Sequence, residues 1–313
     1  ASCSWRLYMS SQLMELSNDL VQATERAAAT AVAVHSEARG SASGVVWRTG
    51  VIVTSEHALR RDEEIHVTLP DGRVVPATLA GRDPSTDLAV LKCPEATTAV
   101  AEFGDAAAVK AGSLTLVVGR TRASGPVAAL GVVSLVAAER KAWTGVSLAP
   151  YIRLDVSIQP TATGGAVIDA GGRVFGIVTP RFGRFGVIAI PAATVNTVVE
   201  TLLQKGRIPR GYLGVGLQPV RLPEALRATL HRDEKAAAIV LEVEPDSPAH
   251  KSGLVIGDIV VSLNAQPVSR LEDVHSHLQG AAIGKTLRLG FVRGGTFREC
   301  NVTIGERVHG ASK

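Results

Sequence analysis

Three polar residues that are far apart in the chain are of the types that together perform nucleophilic hydrolysis. His57 follows one short apolar run, Asp87 precedes another, and Thr163 lies in the loop Gln-Pro-Thr-Ala-Thr-Gly-Gly at 159–165. A histidine can take the proton of a hydroxyl group, and a carboxylate can orient that histidine and favour its charged form. The sequence therefore contains a base, an orienting acid and a hydroxyl, in that order along the chain.

Each of these residues taken alone has an ordinary structural interpretation. A histidine after a strand most often lies on the surface or in the core, and an aspartate before a strand is most often a turn or cap residue. Their order, together with the sequence around them, is what favours chemistry. The other histidines have no such context, and we interpret them as structural or solvated: His35, His66, His231, His250, His275, His277 and His309.

Short apolar runs separated by turn residues must position these side chains. In the N-terminal part of the chain such runs recur about every 8–12 residues, a spacing typical of an all-β barrel or sandwich. Pro-Asp-Gly at 70–72 marks one of the turns between them. Two runs flank Thr49-Gly50, which predicts a hairpin that ends near His57. Ser-Ala-Ser-Gly at 41–44 is predicted to be a turn before that hairpin.

Helical spacing of apolar residues predicts two helices at the borders of this β-rich region. The first is predicted over 14–33, where the pattern changes to strand-like alternation, and residues 1–13 are interpreted as a tail or a remnant of an expression vector. The second begins at Ala192 and stops at Gly206. Its apolar face carries Val195, Val198, Val199, Leu202 and Leu203.

The length of 313 residues and the change of pattern after this helix predict two domains. The β-rich region and its helices occupy 14–205, and Arg-Ile-Pro-Arg-Gly at 207–211 is predicted to be a linker. A smaller domain at 211–307 alternates short strands with short helices, as expected of a mixed α/β unit.

Composition argues against several classes of protein. The net charge is +4, and the 33 basic residues form no stripe interleaved with aromatics, so nucleic-acid binding is not expected. The three cysteines are far apart, so neither a disulfide framework nor a zinc site is expected, and no cofactor is predicted. No apolar run approaches the length of about 18 residues that a membrane helix needs, and no signal peptide is visible.

Several long strings resemble the HtrA/Deg family of proteases. They include VIVTSEHAL around His57, IHVTLPDGRVVPATLAGRDPSTDLAVLK around Asp87, and YIRLDVSIQPTATGGAVID around Thr163. The resemblance covers about residues 15–307. It implies a mainly β fold, a chymotrypsin-like double β-barrel with a trypsin-like site, followed by a small mixed α/β PDZ domain.

The resemblance also implies roles for the residues and a setting for the protein. His57 would be the base, Asp87 the orienting acid and Thr163 the nucleophile, with backbone N–H groups of Thr161, Ala162 and Thr163 forming the oxyanion hole. Unfolded polypeptides or peptide C-termini would be the partners. A homotrimer in the periplasm or elsewhere in the cell envelope is expected of bacterial members.

The loop that carries Thr163 departs from the family pattern at four positions. Thr163 replaces the nucleophilic serine, Thr161 a glycine, Ala162 an asparagine and Ala166 a proline. A β-branched nucleophile has a restricted χ1, and the methyl of Thr163 would be forced toward the imidazole or the substrate. We therefore predict a pseudo-protease or a very weak endopeptidase. The alternative, favoured by the retained His57 and Asp87, is an active endopeptidase with Thr163 as nucleophile.

The string RGYLGVGL at 210–217 resembles the carboxylate-binding loop and first groove strand of a PDZ domain. Backbone N–H groups around Tyr212, Leu213 and Gly214 would bind a peptide C-terminus, and the strand from Val215 would pair with the peptide. A helix over 270–279 is predicted to line the groove through Leu271, Val274 and Leu278. The alternative is that these apolar residues only pack the core.

Overall fold

The computed structural model describes residues 2–36, 41–59, 64–97, 99–137, 140–141, 147–148, 150–182, 186–230, 233–278 and 282–306. The chain forms two compact units, Ala1–Ile208 and Pro209–Lys313. Within the described ranges, none of the helices has the length and apolar character needed to cross a membrane.

The first unit is built mainly of short strands. Within the described ranges its elements are helix α1 (Ser2–Ala28), strands β1 (Ala31–Ser36), β2 (Ser41–Arg48), β3 (Val51–Ser55), β4 (Ile65–Thr68), β5 (Val74–Asp83), β6 (Leu88–Lys92), β7 (Leu114–Thr121), β8 (Gly125–Ala137), β9 (Arg140–Lys141), β10 (Ser147–Leu148), β11 (Tyr151–Asp155), β12 (Ala166–Ile168), β13 (Val174–Thr179) and β14 (Val187–Pro191), and helix α2 (Ala192–Lys205). Single 3-10 turns lie at Glu56–Ala58, Ala106–Ala108 and Pro160–Ala162.

These strands close into two barrels of antiparallel pairs. The first barrel has the order β1-β2-β3-β6-β5-β4, and the second has the order β11-β14-β13-β12-β7-β8. Alternate side chains of a strand point to opposite faces, and in β5 Val75 and Ala77 are buried while Val74 and Pro76 are exposed. The expectation of a mainly β fold with a double barrel is confirmed.

The hairpin predicted around Thr49-Gly50 is present as β2 and β3. Gly50 adopts the left-handed conformation, with φ 74°, that the turn requires. The prediction of a turn at 41–44 is wrong, because these residues form the first half of β2. Gly44 serves close packing instead: a Cβ there would lie 2.9 Å from Cγ2 of Ile52.

Helix α1 begins earlier and ends earlier than the apolar spacing predicted. It runs from Ser2, so residues 2–13 are part of the helix. No proline or glycine interrupts this stretch, so no helix-breaking residue separates it from the helix predicted from residue 14. The alternating residues after Ala31 form β1, because alternation places Val32 and Val34 in the core of the first barrel.

Helix α2 matches the prediction closely. It ends at Lys205, and Gly206 follows in the left-handed conformation, with φ 69°. The predicted face is buried at Val195, Val198, Val199 and Leu202, and Leu203 packs at its edge.

The second unit is a small sheet with short helices. Within the described ranges its elements are strands β15 (Gly211–Tyr212), β16 (Val215–Arg221), β17 (Ala236–Val243), β18 (Ile259–Leu263), β19 (Gln266–Pro267), β20 (Thr286–Arg293), β21 (Thr296–Thr303) and β22 (Gly305–Glu306), and helices α3 (Glu224–Leu230), α4 (Pro248–Lys251) and α5 (Leu271–His277). The main sheet has the order β16-β17-β18-β20-β21, with β19 paired to β18, and β15 pairs with β22.

Candidate active site

His57 and Asp87 are brought together by the pairing of two strands in the first barrel. His57 lies in the 3-10 turn after β3, Asp87 lies immediately before β6, and Ser55 at the end of β3 pairs with Leu88 at the start of β6. Nδ1 of His57 is 2.8 Å from Oδ1 and 2.7 Å from Oδ2 of Asp87. The backbone N–H of His57 also donates to Oδ1 of Asp87, at 3.0 Å. The structure therefore pairs the predicted base with the predicted acid.

A tight loop before β6 fixes the backbone of Asp87. Asp87 adopts the left-handed conformation, with φ 57°, which is unusual for a residue other than glycine. Oδ1 of buried Asp83 accepts from the N–H and hydroxyl of Ser85, and Oδ2 accepts from the hydroxyl of Thr86 at 2.7 Å. The carbonyl of Asp87 accepts from the N–H of Glu56 at 3.0 Å. These bonds hold the acid in a conformation that its local preference disfavours.

The carboxyl of Asp87 is fully buried, yet it favours the charged form. Burial alone would raise the pKa of Asp87, but hydrogen bonds from His57 and from the Thr179 hydroxyl outweigh burial, so the pKa lies below its usual value. The Thr179 hydroxyl donates to Oδ2 at 2.5 Å. Because a carboxylate only accepts, Nδ1 of His57 carries the proton and Nε2 is left as the acceptor. That is the tautomer that a general base needs.

An ion pair joins the two barrels beside this pair. Oε2 of Glu56, the residue before His57, accepts from Nη1 of Arg181 at 2.7 Å, and Oε1 is 3.5 Å from Nη1 of Arg82. The same Nη1 of Arg181 lies 3.7 Å from Oδ1 of Asp87. Glu56 belongs to the first barrel and Arg181 follows β13 of the second, so their contact spans the seam next to the predicted site.

Thr163 lies at the end of the 3-10 turn Pro160–Ala162, between the two barrels. Its carbonyl accepts from the N–H of Ser43 in β2 at 2.9 Å, and the N–H of Gly164 donates to the carbonyl of Val178 in β13 at 3.0 Å. Gly164 has φ 80°, and a Cβ there would lie 2.5 Å from the carbonyl oxygen of Ser43. Only glycine fits at this position, which explains why the Gly-Gly sequence follows Thr163.

The backbone of this loop does not form the predicted oxyanion hole in this conformation. The N–H of Thr163 donates to the carbonyl of Pro160 at 3.2 Å, and the N–H of Ala162 donates to the carbonyl of Gln159 at 2.9 Å. In a trans peptide the C=O and N–H point in opposite directions, so the N–H of Thr161 points away from that of Thr163. The predicted donors therefore do not converge on one point.

The loop of the predicted nucleophile is bonded to β13, whose Thr179 holds Asp87, but the hydroxyl of Thr163 is not bonded to the predicted base. Among the described residues, the hydrogen bonds of His57 go to Asp87, and none joins Nε2 of His57 to the hydroxyl of Thr163. Thr163 is 5% exposed. The arrangement is a hydrogen-bonded pair of the predicted base and the predicted acid, with a threonine hydroxyl that is not bonded to the base.

Sequence reasoning missed Thr179, Glu56 and Arg181. Thr179 and Arg181 lie about 90 residues or more from the partners they contact, with separations of 92 and 125 positions. No local motif marks such long-range partners. The one available signal was Thr179 at the end of an apolar run, the type of position from which polar side chains reach a site.

The second unit contains the predicted groove elements. Strand β16 pairs with β17 and lies at the end of the described sheet order, so its other edge can receive an added strand. Gly214, just before β16, has φ 76°, and a Cβ there would lie 2.2 Å from Cβ of Ser247. The hydroxyl of Tyr212 donates to Glu244, and the carbonyl of Gly214 accepts from the N–H of Glu244 at 2.9 Å.

The apolar residues predicted to line that groove divide into two groups. Leu213 and Val274 are 3% and 2% exposed and belong to the core. Val215, Leu271 and Leu278 are only partly buried and pack against that core. The latter three are therefore the ones with surface left for a ligand.

Both units match known protein families. Residues 42–177 match the trypsin-like peptidase domain, and residues 211–304 match the PDZ domain. A probable periplasmic serine endoprotease, DegP-like, of Pseudomonas putida (strain W619) is 33% identical over 276 residues, which is 86% of this chain and 56% of the relative. Its counterpart in Brucella suis is 33% identical over 270 residues, covering 83% of this chain and 51% of the relative. The chain thus spans about half the length of these relatives.

Solved structures of similar chains are alike over nearly their whole length. The HtrA-type protease AlgW with decapeptide is 25% identical, with a TM-score of 0.73, and the match covers 92% of this chain and 99% of that one. A serine endoprotease from Yersinia pestis is 28% identical, with a TM-score of 0.73, over 92% of this chain and 98% of that one.

Proposed function

The chain belongs to the HtrA-type serine endoprotease family, with a trypsin-like peptidase domain and a PDZ domain, and on that basis we propose that it binds unfolded or exposed polypeptides but cleaves them weakly or not at all. The observation that carries the proposal is the loop of Thr163. Thr163, the proposed nucleophile, has one methyl more than serine, and the N–H of Thr163 donates to the carbonyl of Pro160.

The methyl of Thr163 hinders the attack of the Thr163 hydroxyl on the substrate carbonyl. Thr163 is almost fully buried between the barrels, so its side chain has little freedom to move the methyl aside. A displacement of the attacking oxygen by about 1 Å lowers the rate on the order of a hundredfold. Threonine nucleophiles that work well use their own terminal amine as base, and Thr163 is internal.

Thr161 hinders stabilisation of the oxyanion that forms after the attack. Stabilising the oxyanion requires the peptide between Pro160 and Thr161 to turn, so that the N–H of Thr161 replaces the carbonyl of Pro160. A β-branched residue resists the backbone conformations that glycine accepts. Loss of one oxyanion donor lowers turnover by roughly 10²–10³.

A slow endopeptidase is the second candidate, and the pairing of His57 with Asp87 favours it. Nδ1 of His57 lies within 2.8 Å of both carboxylate oxygens, and Thr179 and the loop of Asp83 support the acid. In this candidate Thr163 is the nucleophile, His57 the base and Asp87 the orienting residue.

The PDZ domain supplies the binding half of the proposal. A peptide C-terminus would place its carboxylate at the backbone N–H groups around Tyr212, Leu213 and Gly214, and its chain would pair with the free edge of β16. Val215, Leu271 and Leu278 would contact the apolar side chains of the peptide.

The names of the relatives indicate a cellular compartment. The DegP-like relatives are named periplasmic, and we propose a periplasmic role in protein quality control for this chain. A homotrimer is proposed as the assembly, and light scattering of the purified chain tests it directly.

Cleavage of a fluorogenic casein tests the proposal, using the native chain, Thr163→Ser and His57→Ala. The proposal expects no cleavage or very slow cleavage by the native chain and measurable cleavage by Thr163→Ser. Cleavage by the native chain that His57→Ala abolishes supports the second candidate. Binding of casein or of a C-terminal peptide by the native chain is expected in either case, and its absence contradicts the binding function.

A further inference from the structure

Ser43 holds the loop of Thr163 at two carbonyl groups. Its hydroxyl donates to the carbonyl of Thr161 at 2.6 Å, and its backbone N–H donates to the carbonyl of Thr163 at 2.9 Å. The same hydroxyl oxygen accepts the N–H of Arg120 at 2.9 Å. Ser43 has no exposed surface, so these bonds are shielded from water.

These bonds fix the peptide next to the one that would have to turn if the oxyanion hole were to form. The peptide between Thr161 and Ala162 is held at its C=O by Ser43 and at its N–H by Gln159. Turning the neighbouring peptide, between Pro160 and Thr161, rotates the backbone about Thr161. That rotation must either displace the carbonyl of Thr161 from Ser43 or distort the loop elsewhere.

We propose that Ser43 is a positioning residue whose hydroxyl latches the loop of Thr163 in the conformation in which the oxyanion hole is closed. The proposal rests on the proposed function in so far as this loop carries the nucleophile. Among the described residues, no hydrogen bond joins Ser43 to the side chain of His57 or Thr163, and we infer that it acts through the backbone of Thr161.

The latch is itself held rigidly in place. Nε of Arg120 donates to the carbonyl of Ala31 at 2.7 Å, and Nη2 donates to the carbonyl of Ala28 at 3.1 Å. The Arg120 side chain therefore ties β7 to the end of α1 and the start of β1. On the other side, a Cβ at Gly119 would lie only 2.3 Å from Oγ of Ser43, so the hydroxyl fits its place only because residue 119 is glycine.

Hydrogen exchange of the native chain and of Ser43→Ala tests the latch. Mass spectrometry of a peptic fragment spanning 159–165 reports the amides of Ala162 and Thr163. Loss of one ordinary hydrogen bond corresponds to a change of roughly three- to tenfold, so we expect exchange in this fragment to accelerate by about that factor. A fragment covering β13 should keep its native exchange rate.

Ser55→Ala is the matched control. Ser55 is also fully buried, its backbone N would lie 2.7 Å from a Cβ at Gly164 of the same loop, and no described residue bonds to its hydroxyl. This variant removes the same atom without removing a hydrogen bond, and exchange in the 159–165 fragment should stay within about twofold of native.

Gly119→Ala is a second route to the same result. Its added methyl would lie 2.3 Å from the Ser43 hydroxyl and 3.1 Å from Cα of Ala162, so it would displace the hydroxyl and crowd the loop, and the same fragment should again exchange faster. Unchanged exchange at 159–165 in both Ser43→Ala and Gly119→Ala overturns the latch. Equal acceleration in the β13 fragment also overturns it, because the effect is then a general loss of stability.

The exchange result does not depend on whether the protein cleaves anything. Faster local exchange supports the latch whether or not Thr163→Ser cleaves casein. Failure of Thr163→Ser to cleave, with exchange behaving as expected, contradicts only the proposed function.

Discussion

At the scale of single residues, the site combines parts that are prepared for catalysis with parts that oppose it. Asp87 is buried, accepts bonds from His57 and Thr179, and favours its charged form. Thr163 is not bonded to His57, and its N–H is engaged by Pro160. The proposed base and acid are therefore paired, whereas the hydroxyl of Thr163 and the proposed oxyanion donors are not arranged for catalysis.

Restoring the nucleophile should restore part of the activity. Thr163→Ser removes one methyl, and we expect the rate of casein cleavage to rise by about a hundredfold over the native chain. Thr163→Ser combined with Thr161→Gly should rise by a further factor of roughly 10²–10³, because the oxyanion donor can then turn. Initial rates with fluorogenic casein measure both, and Thr163→Ala is the blank. A double variant no faster than Thr163→Ser places the barrier outside residue 161.

Asp87 should affect the cleavage rate once residue 163 is an active nucleophile. In the Thr163→Ser background, Asp87→Asn should lower the cleavage rate by about 10³–10⁴, because the wrong tautomer of His57 would be held. Activity is the readout, and circular dichroism checks that the variant folds. A loss smaller than about tenfold would show that Asp87 has no orienting role.

At the scale of elements, the site depends on where strands end and how the barrels meet. The β2–β3 hairpin positions His57, and the loop before β6 positions Asp87. The ion pair of Glu56 and Arg181 joins the two barrels beside them. Glu56 has an exposed side-chain fraction of 12% and two arginine partners. Breaking this ion pair leaves two arginine charges without their shared carboxylate, at side-chain exposures of 28% and 40%, so the cost is smaller than for a fully buried pair.

Glu56→Gln should therefore destabilise the first unit. The expected loss is about 1–3 kcal/mol in the free energy of unfolding, measured by urea titration. Glu200→Gln is the control, since Glu200 pairs with Arg48 at side-chain exposures of 58% and 44%, and it should cost less than about 0.5 kcal/mol. Equal losses of unfolding free energy in the two variants would contradict the structural role assigned to Glu56.

The groove of the second unit can be tested at its tightest position. Gly214→Ala meets Ser247 and has a positive φ, so the loop must shift, and we expect affinity for a C-terminal peptide to fall at least about tenfold. Gly253→Ala is matched in conformation, with φ 81°, but has open space around it. Fluorescence polarisation with a labelled peptide that ends in an apolar residue measures both. If Gly253→Ala binds as weakly as Gly214→Ala, backbone strain alone explains the loss.

The sequence predicted elements well where the signal is local. Alternation and the turn at Thr49-Gly50 were enough for the hairpin, and the apolar face with Gly206 was enough for α2. The stretch 41–44 was misread because Ser and Gly are also the residues that fit close packing. The peptide after Thr161 is held at its carbonyl by the hydroxyl of Ser43, 118 positions away, and no local pattern encodes that contact.

At the scale of the whole molecule, charge and pH act through groups distant from the site. His35 and His66 lie opposite each other in β1 and β4, with stacked rings whose centroids are 6.1 Å apart. Burial, followed by the charges of Arg122 and His66, lowers the pKa of His35 below 6.5. The unfolded chain therefore binds a proton at His35 more readily than the folded chain does.

Stability should consequently fall as the pH is lowered through the range just below 6.5. Part of that fall should disappear in His35→Asn, because the residue that gains a proton on unfolding is gone. Urea unfolding at about pH 7.5 and about pH 5.5 compares the native chain with the variant. An identical change in both proteins would assign the pH dependence to other titratable groups.

The central claim is that Thr163 lies in a catalytic frame but does not attack. Labelling with a fluorophosphonate, located by mass spectrometry of the peptide that contains residue 163, tests it most directly. The native chain should remain unlabelled at Thr163, while Thr163→Ser should be labelled at that residue, and His57→Ala in the same background should abolish the label. Labelling of native Thr163 at a rate close to that of Thr163→Ser would contradict the claim and identify the chain as a threonine-dependent endopeptidase.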